Sequence, residues 1–289
     1  MDTALAVDVG GTKLAVARVD AAGRLSDRRT VPTPAHAGAE AMWARLAGLM
    51  DEVRRGDEVV VGAGCGGPMA PGGTAVSPLN IPAWTGFPLR DRLAGLTGLP
   101  AHVDNDAKAL ALGEGWVGAA RGHGAFIAMV VSTGVGGGIV LDGRLLDGAA
   151  GNAGHVGHVI VEPDGRLCGC GARGCLEAEA SGTGIRAATG GDPAAAAEDV
   201  RRRTGTLVGR AVASVANLLD LRLAVVAGSV ALGYGETFFA AAQAELDARA
   251  RIEFARGARI VPAGLGDAGP LVGAAAVGWR GEGRDIGVA

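Results

Sequence analysis

Short apolar runs bounded by turn residues dominate the first hundred positions, and this pattern predicts buried strands. The runs "ALAVDVG" and "KLAVARVD" flank the turn "GGT", and "LSDRRTVP" follows a second turn, "AAGR". Apolar positions then recur at helical spacing over about residues 39–54. The segments "DEVVVGAG", "PLRDRLAGLTG" and "AHVDND", with a helix that ends near Val117, complete an α/β unit of order β-β-β-α-β-α-β-α.

The second half of the chain repeats this alternation of predicted strands and helices. Strands are predicted over "AFIAMVVS", "GGGIVLDGRLL", "GHVIVEPDGR", "LRLAVVAGS" and "ARIVPA". Helices are predicted from about Thr204 to Leu219, from Gly235 to Arg249 and over "PLVGAAAVGW". Two α/β halves that each open with a hairpin around a glycine loop indicate a duplicated fold with a cleft. The predicted domains are residues 1–117 and 118–269, followed by a closing helix at about 270–289.

Composition narrows the class of protein. A net charge of −3 provides no basic surface for nucleic acid or for an anionic membrane. The start "MDTALAVDVGG" lacks the basic and apolar regions of a signal peptide, and no apolar stretch reaches the roughly 18–20 residues that span a bilayer. We therefore expect a cytoplasmic, soluble protein without a nucleic-acid or membrane partner.

Many of the 51 glycines cluster in loops that follow predicted strands. In "VDVGGTK", the turn offers backbone N–H groups to an anion, Thr12 and Lys13 add a hydroxyl and a charge, and Asp8 can hold Mg²⁺ on phosphate oxygens. An ordinary hairpin turn is the alternative. The loop "STGVGGG" mirrors the first one, so the pair could hold a triphosphate from two sides. The only lysines, Lys13 and Lys108, both lie inside motifs of this kind.

The segment "GAGCGG" matches the spacing G-x-G-x-x-G but lacks the structural context of that motif. The dinucleotide-binding interpretation needs a helix next, but "PMAPGG" follows. We reject that interpretation and expect this loop to form the wall of a small-molecule pocket.

In "VDNDAK", Asn105 and Asp106 lie where a strand ends and a helix begins. Helix capping alone explains one such residue. The pair also suits a polyol, with Asn105 binding hydroxyls and Asp106 accepting a proton.

Three of the four cysteines lie in "GHVGHVIVEPDGRLCGCGARGCLE". Three thiolates and an imidazole match a closed structural zinc site with four ligands: His158, Cys168, Cys170 and Cys175. A disulfide leaves one local cysteine unpaired and does not suit a cytosolic chain. We expect Cys65 to be a packed core residue.

In order along the chain, "VDVGGTK", "VDNDAK", "STGVGGG" and the C-x-C-G-x-x-G-C-x-E pattern resemble the ROK family of sugar kinases and sugar-responsive repressors. The resemblance implies the actin-like, hexokinase-type (ribonuclease H-like) ATPase fold, with two α/β domains and a C-terminal helix that packs on the first. It also implies a homodimer or homotetramer. Repressor members carry an added N-terminal winged helix, so a chain that begins at the first strand is expected to be a kinase.

The resemblance assigns roles to matching positions. Asp106 is the expected general base toward the 6-hydroxyl of a hexose, and the ligands are ATP, Mg²⁺ and a structural Zn²⁺. His158 would ligate zinc and also hydrogen-bond the sugar. The expected sugar ligands are Asn80, Asn105, Asp106, His155, His158 and Glu177. The expected nucleotide, phosphate and Mg²⁺ contacts are Asp8, Gly10, Gly11, Thr12, Lys13, Thr133, Gly134 and Gly228.

One position departs from the family pattern. Typical members have G-E-x-G-H, whereas this chain has Gly154-His155-Val156-Gly157-His158. The usual glutamate contacts hydroxyls near the reducing end, and a neutral imidazole cannot accept two hydroxyls as a carboxylate can. The change suits an N-acetylhexosamine such as N-acetylmannosamine or N-acetylglucosamine. It is also a tolerable variant of a glucose kinase, which is the interpretation we favour at this point.

The sequence disfavours two other classes of protein. A sugar-sensing regulatory protein without catalysis is disfavoured, because a sensor has no chemical need for Asp106. A zinc hydrolase built on "HVGH" is rejected, because this segment lacks the general-base glutamate of H-E-x-x-H. The sequence leaves open whether polyphosphate can replace ATP as the phosphate donor.

Overall fold

Two five-stranded mixed sheets form the framework of the protein. The computed structural model describes residues 2–34 and 37–288. Within them, one compact unit comprises residues 2–122, 145–153 and 265–288, and a second comprises residues 123–144 and 154–264. We propose that these units correspond to the two domains expected from the sequence.

The first sheet has a central strand that is buried along its whole length, as its continuous apolar run predicts. Its strands are β1 (Thr3–Val9), β2 (Lys13–Asp20), β3 (Leu25–Pro32), β4 (Glu58–Cys65) and β5 (Ala101–Asn105), in the order β3-β2-β1-β4-β5. The first three strands are antiparallel, and β4 and β5 run parallel to β1. Helices α1 (Ala39–Val53), α2 (Leu89–Thr97) and α3 (Asp106–Val117) complete the order predicted for this half.

The second sheet repeats this arrangement. Its strands are β6 (Phe126–Val131), β7 (Val135–Leu141), β8 (Arg144–Leu145), β9 (Leu223–Ala227) and β10 (Arg259–Pro262), in the order β8-β7-β6-β9-β10. Again a hairpin is followed by strands parallel to its first member. The helices of this half are α4 (Leu176–Ala180), α5 (Gly182–Thr189), α6 (Glu198–Leu219) and α7 (Ser229–Arg249). The prediction of a duplicated α/β fold is confirmed by the shared strand order.

The last helix, α8 (Gly269–Gly281), packs against β1, β4 and α3 of the first unit. Every residue from Leu271 to Trp279 is buried, which agrees with the apolar character of "LVGAAAVGW" on all sides. No helix within residues 2–34 and 37–288 is long and apolar enough to cross a membrane.

Several predicted elements differ from the structure. The strand predicted over "GGGIVLDGRLL" is divided into β7 and β8 by a turn at residues 142–143, and the closing helix predicted at about 270–289 ends at Gly281. The strand predicted over "GHVIVEPDGR", residues 157–166, is wrong: the segment begins in the 3₁₀ turn Val156–His158 and makes one isolated bridge, at Ile160. Helices α6 and α7 begin earlier than predicted, at Glu198 and Ser229. The first turns of α6 are charged and exposed, so they carry no apolar signal. Helix α7 continues through a non-helical Gly235, which is its predicted start.

Candidate active site and metal centre

The glycine turn of the first unit joins β1 to β2. The Gly10 N–H donates to the Lys13 carbonyl at 3.0 Å, which closes the turn, and Thr12 at its tip is exposed. Asp8, at the end of β1, is only 6% exposed. Burial and, second, the Asp106 carboxylate raise the pKa of Asp8 to about 7, with partial opposition from Lys13 and Arg28. The neighbouring carboxylates of Asp8 and Asp106 form an oxygen donor set that suits Mg²⁺.

Asp106 reaches Asp8 because of the parallel part of the sheet. The register pairs Val9 with Cys65 and Cys65 with Asn105, so the carboxyl ends of β1, β4 and β5 lie side by side. Ligand sites in open α/β sheets form at such an edge. The Asn105 side chain caps α3 by accepting from the Ala107 N–H at 3.0 Å, as its residue type predicts. This cap leaves Asp106 exposed in the first turn of α3.

Asn80 lies against the same glycine turn. A Cβ on Gly11 would come within 2.6 Å of the Asn80 Nδ2 atom, so only glycine leaves room for this amide. Asn80 itself is exposed. Of the residues predicted for the site, the first unit therefore gathers Asp8, the glycine turn and Asp106 at one sheet edge and brings Asn80 to the turn.

The glycine loop of the second unit, residues 132–134, joins β6 to β7. The first residues of α5 hold this loop: the Gly182 N–H donates to the Ser132 carbonyl at 2.7 Å, and the Thr183 hydroxyl donates to the Thr133 carbonyl at 3.0 Å. The Ser229 hydroxyl, at the start of α7, lies 3.0 Å from that of Ser132. Helix N-termini favour anions, so the loop suits phosphate.

Gly228 forms the turn that leads into α7. Its φ of +102° lies in the region that favours glycine, and a Cβ there would come within 2.3 Å of the Val131 carbonyl oxygen. Sequence reasoning missed Thr183 and Ser229 beside the loop of residues 132–134. The available signal was a Ser or Thr in the first turn of each helix, in "SGTG" and "GSV".

Glu177 is the second residue of α4, and its carboxylate turns toward the same loop. The Val135 N–H donates to Glu177 Oε2 at 2.9 Å, and the side chain is half-buried. The backbone thus fixes a carboxylate that keeps further acceptor capacity for hydroxyl groups.

The segment "GHVGH" is fixed on β7 by its glycines. Gly154 has a φ of +100°, and a Cβ on it would come within 2.3 Å of the Gly137 carbonyl oxygen. This placement presents His155, which is exposed, next to His158, with the two rings nearly parallel and their centroids 6.2 Å apart.

The four predicted metal ligands converge. The ligand atoms of His158, Cys168, Cys170 and Cys175 all lie within 4.8 Å of one another. The Cys168 Sγ lies 3.7 Å from the His158 Nδ1, and the Cys170 Sγ lies 3.7 Å from the Cys175 Sγ. Zn–S bonds of about 2.3 Å in a tetrahedron separate ligand atoms by about 3.8 Å, so this set fits Zn²⁺. Because His158 points Nδ1 at the thiols, its Nε2 faces away from them.

Cys65 takes no part in this cluster, as expected. It is fully buried at the end of β4, and burial together with Asp106 and Asp8 raises the pKa of its thiol well above the ordinary value. The thiol therefore stays protonated as a packed core group.

Comparisons with known proteins agree with this fold and these motifs. The sequence model of the ROK family matches residues 4–279. The N-acetylmannosamine kinase of Citrobacter koseri is 41% identical over 246 residues, which are 80% of this chain and 84% of that protein.

Two solved structures share the fold at higher coverage. The ROK hexokinase of Thermus thermophilus is 34% identical, with a TM-score of 0.81 over 97% of this chain and 99% of that one. A ROK glucokinase of Streptomyces griseus, in complex with glucose and AMPPNP, is 31% identical, with a TM-score of 0.83 over 96% and 99%. The fold is therefore that of the actin-like ATPases, and the protein is an ATP-dependent sugar kinase. The chain belongs to the ROK family.

Proposed function

We propose that this kinase transfers the γ-phosphate of ATP to the 6-hydroxyl of N-acetylmannosamine. The observation that carries the proposal is His155, exposed beside His158 at the position where the resemblance expects a glutamate. N-acetylmannosamine kinases of Citrobacter koseri and Escherichia fergusonii are 41% and 39% identical over about four fifths of the chain. They support the N-acetylhexosamine alternative over glucose, the substrate favoured by the sequence.

Hydrogen-bond chemistry explains why His155 suits this substrate. A glutamate accepts two hydroxyl donors, whereas a neutral imidazole offers one N–H donor and one acceptor. An acetamido group presents a carbonyl acceptor where glucose presents a hydroxyl. We assign the remaining sugar hydroxyls to Asn80, Asn105, His158 and Glu177, as the resemblance predicts.

Asp106 acts as the general base in the proposed reaction. As the 6-hydroxyl oxygen forms its bond to the γ-phosphorus, its proton passes to the Asp106 carboxylate, and the bond to the departing ADP oxygen breaks with its electron pair on ADP. The exposed position of Asp106 at the start of α3 supports this role. The two glycine turns and Lys13 hold the phosphates, and Gly228 borders the adenosine.

Two cations complete the proposed enzyme. Asp8 would hold Mg²⁺, which neutralises charge on the phosphate oxygens. Zn²⁺ at the Cys₃His cluster would fix the loop that carries His158 and Glu177, without a part in the chemistry. Reduced thiols and ATP as donor fit a cytoplasmic enzyme. A homodimer or homotetramer is the assembly that the family resemblance predicts.

Glucose is the second candidate. The similarity to the Streptomyces griseus glucokinase, whose structure contains glucose, favours it. His155 counts against glucose, because the site then lacks the glutamate carboxylate that would accept two hydroxyls of this sugar.

The test is coupled ADP release with Mg·ATP on N-acetylmannosamine, N-acetylglucosamine, glucose, mannose, fructose and allose, with a polyphosphate arm in place of ATP. We expect kcat/KM for N-acetylmannosamine to exceed that for glucose by roughly tenfold or more. A higher value for glucose would replace the proposed substrate. Sugar binding without any turnover would instead point to the non-catalytic sensor.

A further inference from the structure

Helix α4 is too short to be stable alone. It has five residues, Leu176–Ala180, and includes Glu177. Isolated helices of this length do not persist in water, so the surrounding structure must hold both ends. Its N-terminal end is held at Cys175, which is both the N-cap residue and one of the four converging metal ligands.

The C-terminal end of α4 carries a buried carboxylate. Glu179 is 3% exposed, and its Oε1 accepts from the Arg166 backbone N–H at 2.6 Å. Its Oε2 lies 3.1 Å from Arg166 Nη2 and 2.8 Å from Arg203 Nη2. A buried charge is tolerated only when it is paired and hydrogen-bonded in this way. Burial acts to raise the pKa of Glu179, but the Arg166 N–H and the two guanidinium groups hold it below its ordinary value.

The same two arginines also bond the last carbonyls of α4, which have no partner inside the helix. Arg166 Nε donates to the Ala178 carbonyl at 3.0 Å, and Arg166 Nη2 donates to the Glu179 carbonyl at 3.1 Å. Arg203 Nη1 adds a bond to the Glu179 carbonyl at 3.4 Å.

These contacts join three segments of the second unit: residues 160–175, here called the cysteine hairpin, through Arg166; α4 through Glu179; and α6 through Arg203. The fit is close, because a Cβ on Gly165 would come within 2.5 Å of Glu179 Oε1. Glu177, two residues before Glu179, lies between the metal ligands at one end of α4 and this ion-pair cluster at the other.

We propose that Glu179 is a positioning residue for sugar binding. It fixes the position of α4 relative to the cysteine hairpin, independently of the metal. The inference rests on the proposed function, because Glu177 and His158 are the groups that it positions. Glu179 contacts no reacting atom, so its loss should change sugar affinity rather than the rate of phosphoryl transfer.

The experiment compares Glu179→Gln with Glu58→Gln. Glu58 is a matched control in the first unit: its side chain is 1% exposed, Arg18 Nε lies 3.0 Å away, and it accepts from the Arg55 and Gly56 N–H groups. The readouts are kcat, KM for sugar and for ATP, zinc content, calorimetric sugar binding, and amide hydrogen exchange over residues 162–167. Arg203→Lys keeps the charge but loses the forked contact, and it serves if Glu179→Gln does not fold.

We expect Glu179→Gln to raise KM and Kd for sugar by about three- to thirtyfold, with kcat, KM for ATP and zinc content unchanged. Amide exchange over residues 162–167 should become faster. Glu58→Gln should leave KM for sugar and this exchange unchanged, and Arg203→Lys should move them in the direction of Glu179→Gln. An unchanged sugar affinity in Glu179→Gln, an equal effect in Glu58→Gln, or loss of zinc would overturn the inference.

Failure of the proposed function and failure of the role proposed for Glu179 give different results in these experiments. If the unaltered protein turns over no sugar, the proposed function is wrong, and calorimetric sugar binding to the variants still decides the role of Glu179. If the unaltered protein also binds no sugar, both proposals are overturned.

Discussion

The ammonium of Lys108 lies 2.8 Å from Oδ1 of Asp147, and this ion pair joins α3 to residues 145–153 of the first unit. The Lys108 side chain is 4% exposed. It also donates to the Gly151 carbonyl at 3.2 Å and pairs with Asp104 at 2.9 Å, so each of its three N–H donors has an acceptor. Lys108 is two residues beyond Asp106, which makes it part of the framework that supports the predicted base.

We expect Lys108→Met to destabilise the fold by about 2–3 kcal/mol, because it removes the nearest cation of the half-buried Asp104, whose other cation, Arg280, lies 4.0 Å away. The loss is smaller than for a fully buried pair, since Asp147 is half-exposed and keeps Arg280 at 3.1 Å. Urea unfolding at pH 7 measures it. A loss below about 1 kcal/mol would mean that the cluster contributes no more than a surface ion pair.

Asp8→Asn should stabilise the fold increasingly as pH rises. The pKa of Asp8 is about 7 in the folded chain and about 3.9 when unfolded. Between these values the unfolded chain releases a proton that the folded chain keeps, so the original protein loses stability as pH rises, and the loss is complete above about pH 7. Asparagine does not titrate, so the difference should grow by an amount on the order of 4 kcal/mol at most.

Urea unfolding of both proteins from pH 5 to pH 8, without divalent cations, measures this difference. Asp106, Lys13, Arg28 and Cys65 are the charged or titratable groups that act on Asp8, and they are the same in both proteins. A difference that does not vary with pH would show that Asp8 ionises normally.

Asp106→Asn should lower kcat by about 10²–10⁴-fold, because the amide cannot accept the proton of the attacking hydroxyl. Sugar binding, measured by calorimetry, should persist. Asp192→Asn is a suitable control, since Asp192 also accepts from a backbone N–H at a helix start but lies in the second unit and has no predicted role. Near-normal kcat in Asp106→Asn would remove it as the base.

Cys170→Ser should lose the metal and weaken sugar binding, because the loop that carries His158 then lacks its main cross-link. Metal content by atomic absorption and KM for sugar are the two measurements. A chelator should reproduce the rise in KM with the unaltered protein and have no added effect on the variant. Metal loss with an unchanged KM would disconnect the cluster from the sugar site.

His155→Glu should shift the substrate preference toward glucose. A carboxylate accepts hydrogen bonds from two hydroxyls of glucose, but it has no donor for the carbonyl oxygen of an acetamido group. We expect the ratio of kcat/KM for N-acetylmannosamine to that for glucose to fall by roughly tenfold or more. His123→Glu, an exposed histidine of the same unit, controls for the added charge. An unchanged ratio in His155→Glu would separate this residue from specificity.

Local patterns of residues are sufficient to predict several features of this protein. The continuous apolar run of β1 predicts a buried strand, and the residue type of Asn105 predicts a helix cap; both are present. The spacing of His158, Cys168, Cys170 and Cys175 predicts a cluster that the fold brings together. Such features depend on neighbours within one turn, one strand or one hairpin, so their signal lies in consecutive residues.

Other features depend on contacts between distant parts of the chain. The high pKa of Asp8 requires Asp106, which the parallel pairing of β1, β4 and β5 brings near. The strand predicted around Val159 does not form, because residues 156–158 make a 3₁₀ turn and the backbones of Val159 and Val161 bond Leu176 and Gly174 instead of a sheet strand. Glu179 gains its partner Arg203 from another helix. Neither an ion pair nor a close backbone approach between distant residues leaves a periodic pattern, so only the tertiary structure decided them.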